Sequence, residues 1–195
     1  YADLKKRMDD ASLGITARHQ HVRHAACEYA GNLGDKAFMP LYEKQTATTD
    51  DKDMYAACMK GLVKMFHNYP LFETLDESAY KLFLKRLSDK PRSVERPPWT
   101  VTSAFQYSSD EKNTKLVEWK KKATWWKPAD VQKVLVDIVG DKSANWMARN
   151  GAVTSLLGLG ATKAELEALK KGLDEKAPNE KYILKAIDDA LPKAK

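Results

Sequence analysis

Cysteine is scarce in this chain, with two in 195 residues. That excludes a small disulfide-dense scaffold and any zinc-finger spacing. Glycine (9) and proline (8) are too few for a collagen-like or low-complexity segment. No apolar run approaches the about 20 residues of a membrane span. Walker, G-x-S-x-G and paired-carboxylate signatures are all missing. A strong excess of one charge is missing too: 33 Lys and Arg stand against 27 Asp and Glu, a net +6. A dedicated nucleic-acid binder usually concentrates its charge more. What is present is 43% hydrophobic and 31% charged residues, enough for a core under a mixed-sign surface. The length suits a single soluble domain over residues 1–195. The chain begins at Tyr1 with no visible signal segment, as a processed or trimmed chain would. A removed leader leaves no trace, so cytoplasm and periplasm both remain open.

Apolar residues recur at three- and four-residue spacing along most of the chain, which predicts helices. Residues 18–31 carry Val22, Ala25, Ala26, Tyr29 and Ala30 on one stripe. Met54, Ala57, Cys58, Leu62 and Met65 do the same over 51–66, where Asp50, Asp51 and Asp53 suit the positive end of a helix. Residues 128–139 open on Pro128 and stop at Gly140; 143–158 and 179–191 repeat the period, the last ending at Pro192. Three capping boxes are expected, at Thr162–Glu165, Thr74–Glu77 and Ser108–Glu111. Gly158-Leu-Gly160 follows a helix and reads as its C-terminal turn, not as a phosphate loop. Residues 88–99, rich in Lys, Arg, Ser and Pro, read as an internal connector between two halves of one array.

Internal similarity runs across these helices. Arg23, Ala26, Leu33 and Gly34 fall on Arg149, Ala152, Leu159 and Gly160, and Ala25-Ala26-Cys27 falls on Ala56-Ala57-Cys58. Small residues at matching stations let helices approach closely. The segment at 22–44, with its Val-Arg-x-Ala-Ala opening, its Leu33-Gly34-Asp35 turn and a second helix at Pro40-Leu41, resembles the short HEAT-like repeat family. Residues 148–173 resemble it less fully, because the turn keeps Leu159 and Gly160 but lacks the aspartate. The resemblance implies an all-α fold, a right-handed α-solenoid of four to five helical hairpins in which each hairpin covers its neighbour's apolar stripe. It also implies a concave face that binds a protein partner and, in a minority of cases, nucleic acid. A plain helical bundle is the structural alternative.

The expected role is therefore a non-enzymatic interaction scaffold that needs no cofactor or metal. Its contact residues are expected where aromatics interleave with lysines: Tyr107, Trp119, Trp125 and Trp126, with Lys121, Lys122, Lys127 and Arg149. Such a pattern suits large apolar anchors with a charged rim, or phosphate neutralisation with base stacking. The second reading, nucleic-acid binding over residues 110–149, has an enzymatic variant. It resembles the HEAT-like alkylpurine DNA glycosylases, and that resemblance would give roles to Trp125, Trp126, Asp130 and Arg149. His19, His21 and His24 crowd one helix, but only His21 and His24 can share a face, so they read as polar-face residues. Cys27 and Cys58 are expected as free buried thiols, since helix axes about 8–10 Å apart keep cysteines beyond disulfide reach.

Overall fold

A computed structural model describes Ala2 and residues 17–47, 51–90, 92 and 96–195, with side chains from 21 onward in the first helix. Asp50 and connector residues 91 and 93–95 lie outside the described residues, as does the side chain of His19. The described chain is all-α, with no strand among those residues. The helices are α1 (Ala17–Ala30), α2 (Met39–Ala47), α3 (Lys52–Phe66), α4 (Glu77–Ser88), α5 (Trp99–Thr102), α6 (Thr114–Lys122), α7 (Pro128–Gly140), α8 (Trp146–Gly158), α9 (Lys163–Lys171) and α10 (Glu180–Ala190). No described helix is long and apolar enough to cross a membrane. The chain forms two compact units. Unit 1 comprises Tyr1–Arg86 with Lys115–Trp126, and unit 2 comprises Leu87–Thr114 with Lys127–Lys195.

Unit 1 is organised by α1 against α3. A β-carbon on Gly31 would collide with the Gly61 backbone, and one on Gly61 would collide with the Cys27 carbonyl and the Tyr42 ring. Glycine at both positions therefore lets the two backbones meet. The Tyr42 hydroxyl donates to the Cys27 carbonyl at 2.8 Å in the same contact. This closeness overturns the expectation of free thiols. Cys27 and Cys58 form a disulfide with Cα atoms 5.0 Å apart, well inside bonding reach. Both are fully buried. The ordinary interhelical spacing presupposes side chains throughout the contact, and Gly31 and Gly61 carry none.

The termini of these helices follow local chemistry. Gly34 takes φ 60° at the end of the short 3-10 turn Gly31–Leu33, and Asp35 accepts the Ala37 N–H at 2.8 Å as the next turn begins. Asp51 caps α3 through the N–H groups of Asp53 and Met54 at 3.0 and 2.9 Å. The expected box at Thr74 is displaced: Asp76 caps α4, accepting from Ser78 and Ala79 N–H at 2.8 and 3.0 Å. Thr74 is used elsewhere, because its hydroxyl donates to the Lys64 carbonyl at 2.5 Å and its own carbonyl accepts the Trp119 indole N–H at 2.9 Å.

Unit 2 is built on α8, which packs against α5, α7 and α10. Its buried residues include the small Ala148, Gly151, Ala152, Ser155 and Gly158 beside Arg149, Val153 and Leu156. Gly151 lies against Trp99 and Thr102, and Gly158 against the Phe105–Gln106 backbone. The Ser155 hydroxyl accepts the Phe105 N–H at 3.0 Å. After α8, Gly160 adopts φ 85° and Ala161 N–H returns to the Leu156 carbonyl, the αL termination expected at Gly158–Gly160. The box at Thr162–Glu165 forms with both of its reciprocal bonds. The one at Ser108–Glu111 does not: residues 103–109 are turns and α6 begins at Thr114. No apolar residue falls between Ser108 and Lys115, so a helix there would have no face to bury.

Candidate interaction surface

The tryptophans of the basic segment meet an aromatic cluster inside unit 1. Trp119 is 1% exposed and packs with Phe72, Leu116 and Ala123, while Trp125 and Trp126 close over them half-buried. Phe66 and Tyr80 contact both of those rings at centroid distances of 5.2 to 6.4 Å. His67 sits among them, edge-on to Phe72 at 4.9 Å and to Trp119 at 5.2 Å, and stacked on Trp126 at 5.8 Å. Burial pushes the imidazole pKa down to about 3, and the Lys120 ammonium adds to the effect. His67 is therefore a neutral ring at physiological pH.

Above this cluster the chain between α3 and α4 is held by its own polar groups. Asn68 is buried; its backbone carbonyl accepts Leu71 and Phe72 N–H at 2.8 and 3.1 Å, and its amide oxygen accepts Glu73 and Thr74 N–H at 2.7 and 3.3 Å. Asp76 N–H reaches back to the Met65 carbonyl at 3.1 Å. Phe72 has φ 51°, a left-handed conformation that costs a non-glycine residue about 1–3 kcal/mol. Its buried ring and the flanking hydrogen bonds hold it there. The result is a fixed loop that carries apolar side chains into water: Tyr69 at 46%, Leu71 at 44% and Leu75 at 40% exposure. Between this loop and α6 lies a groove of about 310 Å³, floored by Phe72 and the edge of Trp119, walled by Leu71 and Leu75, and edged by lysines and glutamates.

The residues expected to form one basic aromatic face divide between the units. Trp119, Lys121, Lys122, Trp125 and Trp126 belong to unit 1, and Tyr107, Lys127 and Arg149 to unit 2. Lys121, Lys122, Lys127 and Tyr107 are exposed. Two expectations need correction. Trp119 is interior, because its indole N–H and its ring are both consumed by the cluster. Arg149 is 3% exposed: its Nε donates to the Val139 carbonyl at 2.8 Å and its Nη1 pairs with Glu180 at 2.6 Å. It pins α7 and α10 to α8 and offers no charge to solvent. The exposed loop 69–75 was missed in the sequence. Its signal is the run Tyr69-Pro-Leu-Phe72, large apolar residues around a proline with no helical period.

Elsewhere, His21 and His24 stand edge-on at 6.3 Å, with His24 against Asp51 at 3.3 Å. No cluster of metal-ligating side chains occurs among the described residues. Unit 2 has a broader cleft beside Arg92, whose guanidinium is spent on Asp137 at 2.8 Å and Asp141 at 2.9 Å. Burial raises the Asp137 carboxyl, but Arg92 and Lys90 outweigh it and hold the group below its usual range. No protein-family model, curated protein sequence or solved structure matches the chain.

Proposed function

We propose that the chain is a non-enzymatic, helical protein-binding module whose contact surface in unit 1 is the loop Tyr69–Leu75 with the adjoining face of α6. The observation that carries this reading is the fixed display of Tyr69, Leu71 and Leu75 in water. A loop that is tied by buried hydrogen bonds and pays for a left-handed phenylalanine does not turn three large apolar groups outward for stability. Such a patch binds with little ordering cost. As architecture we propose HEAT-like hairpins. The α1 helix, the Gly34 turn with its Asp35 cap, and α2 support that reading, as do the glycine contacts between α1 and α3. The Cys27–Cys58 disulfide supports a working place in an oxidising compartment rather than a reducing cytosol.

Nucleic-acid binding finds less support. Trp119 has no free face for a base, Arg149 is sealed by Glu180, and Glu73 and Glu118 line the groove. The test is co-precipitation from the exported fraction of the source cells. The expected result is a protein captured by the native chain and by Val136→Asp, an equally exposed site in unit 2. That protein is lost with Leu71→Asp plus Leu75→Asp in a chain with native circular dichroism. Capture indifferent to the double change sinks this surface. Single-stranded DNA bound with a steep salt dependence would favour the other reading.

A further inference from the structure

The two ends of the groove on unit 1 differ in charge, and that difference says what fits it. The loop meets α6 at two successive turns of the helix. Glu73 meets Lys115 in the first turn at 3.6 Å, and Phe72 meets Trp119 one turn later at 6.1 Å. Lys115, Glu118 and Lys122 follow one another along the same helical face. From Lys115 to Lys122 the axial rise is about 10 Å, the length of about three extended residues. At the Lys115 end the charges are already paired across the groove. At the Lys122 end they are not: among the described residues, Lys121 and Lys122 form no ion pair, and both are exposed. At that end Lys122 lines the groove with Lys121 next to it on the helix, Glu118 lies one turn earlier on the same face, and Leu71, Phe72, Leu75 and Trp119 supply the apolar lining.

We infer that this groove takes a short extended peptide segment of a partner protein, with large apolar side chains at positions i and i+2 and an acidic side chain at about i+4. Alternate residues of an extended chain face the same way, so the two apolar groups cover Leu71, Phe72 and Leu75. The carboxylate then reaches past the groove to Lys122 and Lys121. A phosphodiester strand is disfavoured by the carboxylates of Glu73 and Glu118. A basic segment would leave the uncommitted lysines facing like charge. The inference rests on the protein-binding reading above and adds the chemistry of the partner.

The experiment uses the full, oxidised chain and fluorescein-labelled nine-residue synthetic peptides, read by anisotropy at low salt. One peptide carries leucines at i and i+2 and aspartate at i+4. A second replaces the aspartate with lysine, and a third places the leucines at i and i+1. The expected result is saturable binding of the first and weaker binding of the second, by up to about fivefold for one exposed charge pair. The third should bind more weakly than the first. Lys122→Glu, an exposed change that leaves the melting temperature in place, should invert the preference between the first two. Leu71→Asp should abolish binding of both. Equal affinity for aspartate and lysine peptides, indifference to Lys122→Glu, or no peptide binding overturns the inference. So does self-association in sedimentation that Leu71→Asp dissolves, because a second copy would then fill the groove. If partner capture still depends on Leu71 and Leu75 while the peptide results fail, only the peptide chemistry falls. If capture ignores both leucines, the binding surface falls with it.

Discussion

In unit 1 the interior is made of rings. Phe38, Tyr42, Tyr55, Phe66, Phe72, Tyr80, Phe83 and Trp119 are all buried there, against Phe105 alone in unit 2. In unit 2 the interior is mainly aliphatic, with Val131, Leu135, Ile138 and Val139 of α7 and Ile183 and Ile187 of α10, beside small residues on α8 and three charged groups, Arg92, Arg149 and Glu180. The rings of unit 1 fill volume, the Tyr42 hydroxyl and the Trp119 indole each finding a carbonyl acceptor; unit 1 carries a loop of exposed apolar groups above this core and joins α1 to α3 by a disulfide. Unit 2 adds to its aliphatic packing a set of ion pairs made by buried arginines at the helix ends. Arg149 joins the last turn of α7 to the first residue of α10, and Arg92 fastens the chain beyond α4 to Asp137 and Asp141. The same overall helicity is reached by two different kinds of glue.

The sharpest way to break the comparison is in unit 2. Arg149→Ala leaves Glu180 buried without its counter-charge, and should cost about 3–5 kcal/mol. Arg149→Met with Glu180→Leu should recover most of that loss, because neither charge is then stranded. Amide exchange resolved by peptide mass would show the loss confined to unit 2. Next in size, Cys27→Ala plus Cys58→Ala should cost about 3–4 kcal/mol by freeing a loop of 31 residues in the unfolded chain. Here exchange should rise in unit 1 and stay unchanged in unit 2. An unchanged denaturation midpoint would mean that the glycine contact, not the sulfur bridge, holds α1 to α3.

A third comparison uses pH. The folded imidazole of His67 titrates near 3 and the unfolded one near 6.5. Its stabilising contribution is full above pH 6.5 and is lost as pH falls toward 3, because the unfolded chain takes up the proton first. The slope is at most about 1.4 kcal/mol per pH unit. The carboxylates of Asp137 and Asp141 lie on the acid side of their normal range, so their contribution goes only at lower pH. Between pH 6 and about 4.5, unit 1 should therefore weaken before unit 2. His67→Leu should flatten the slope of unit 1 in denaturant titrations over that window. A slope that survives the change would place the proton elsewhere.

The sequence by itself determined the helices and most of their ends. The three- and four-residue periods mark α1, α3, α7, α8 and α10, and the caps at Asp51, Thr162 and Gly160 are local facts, made by residues within five positions of one another. The misplaced start at Thr74 failed for a non-local reason, its hydroxyl being taken by α3, whereas the one at Ser108 failed for a local reason, the absence of any apolar residue between Ser108 and Lys115. Only the tertiary structure decided the disulfide, the burial of Trp119 and Arg149, and the exposure of Leu71 and Leu75. Each of these depends on how closely two distant segments approach. That distance is set by the side chains missing at Gly31 and Gly61 and by the rings around His67, and a pattern of neighbours along the chain cannot express it.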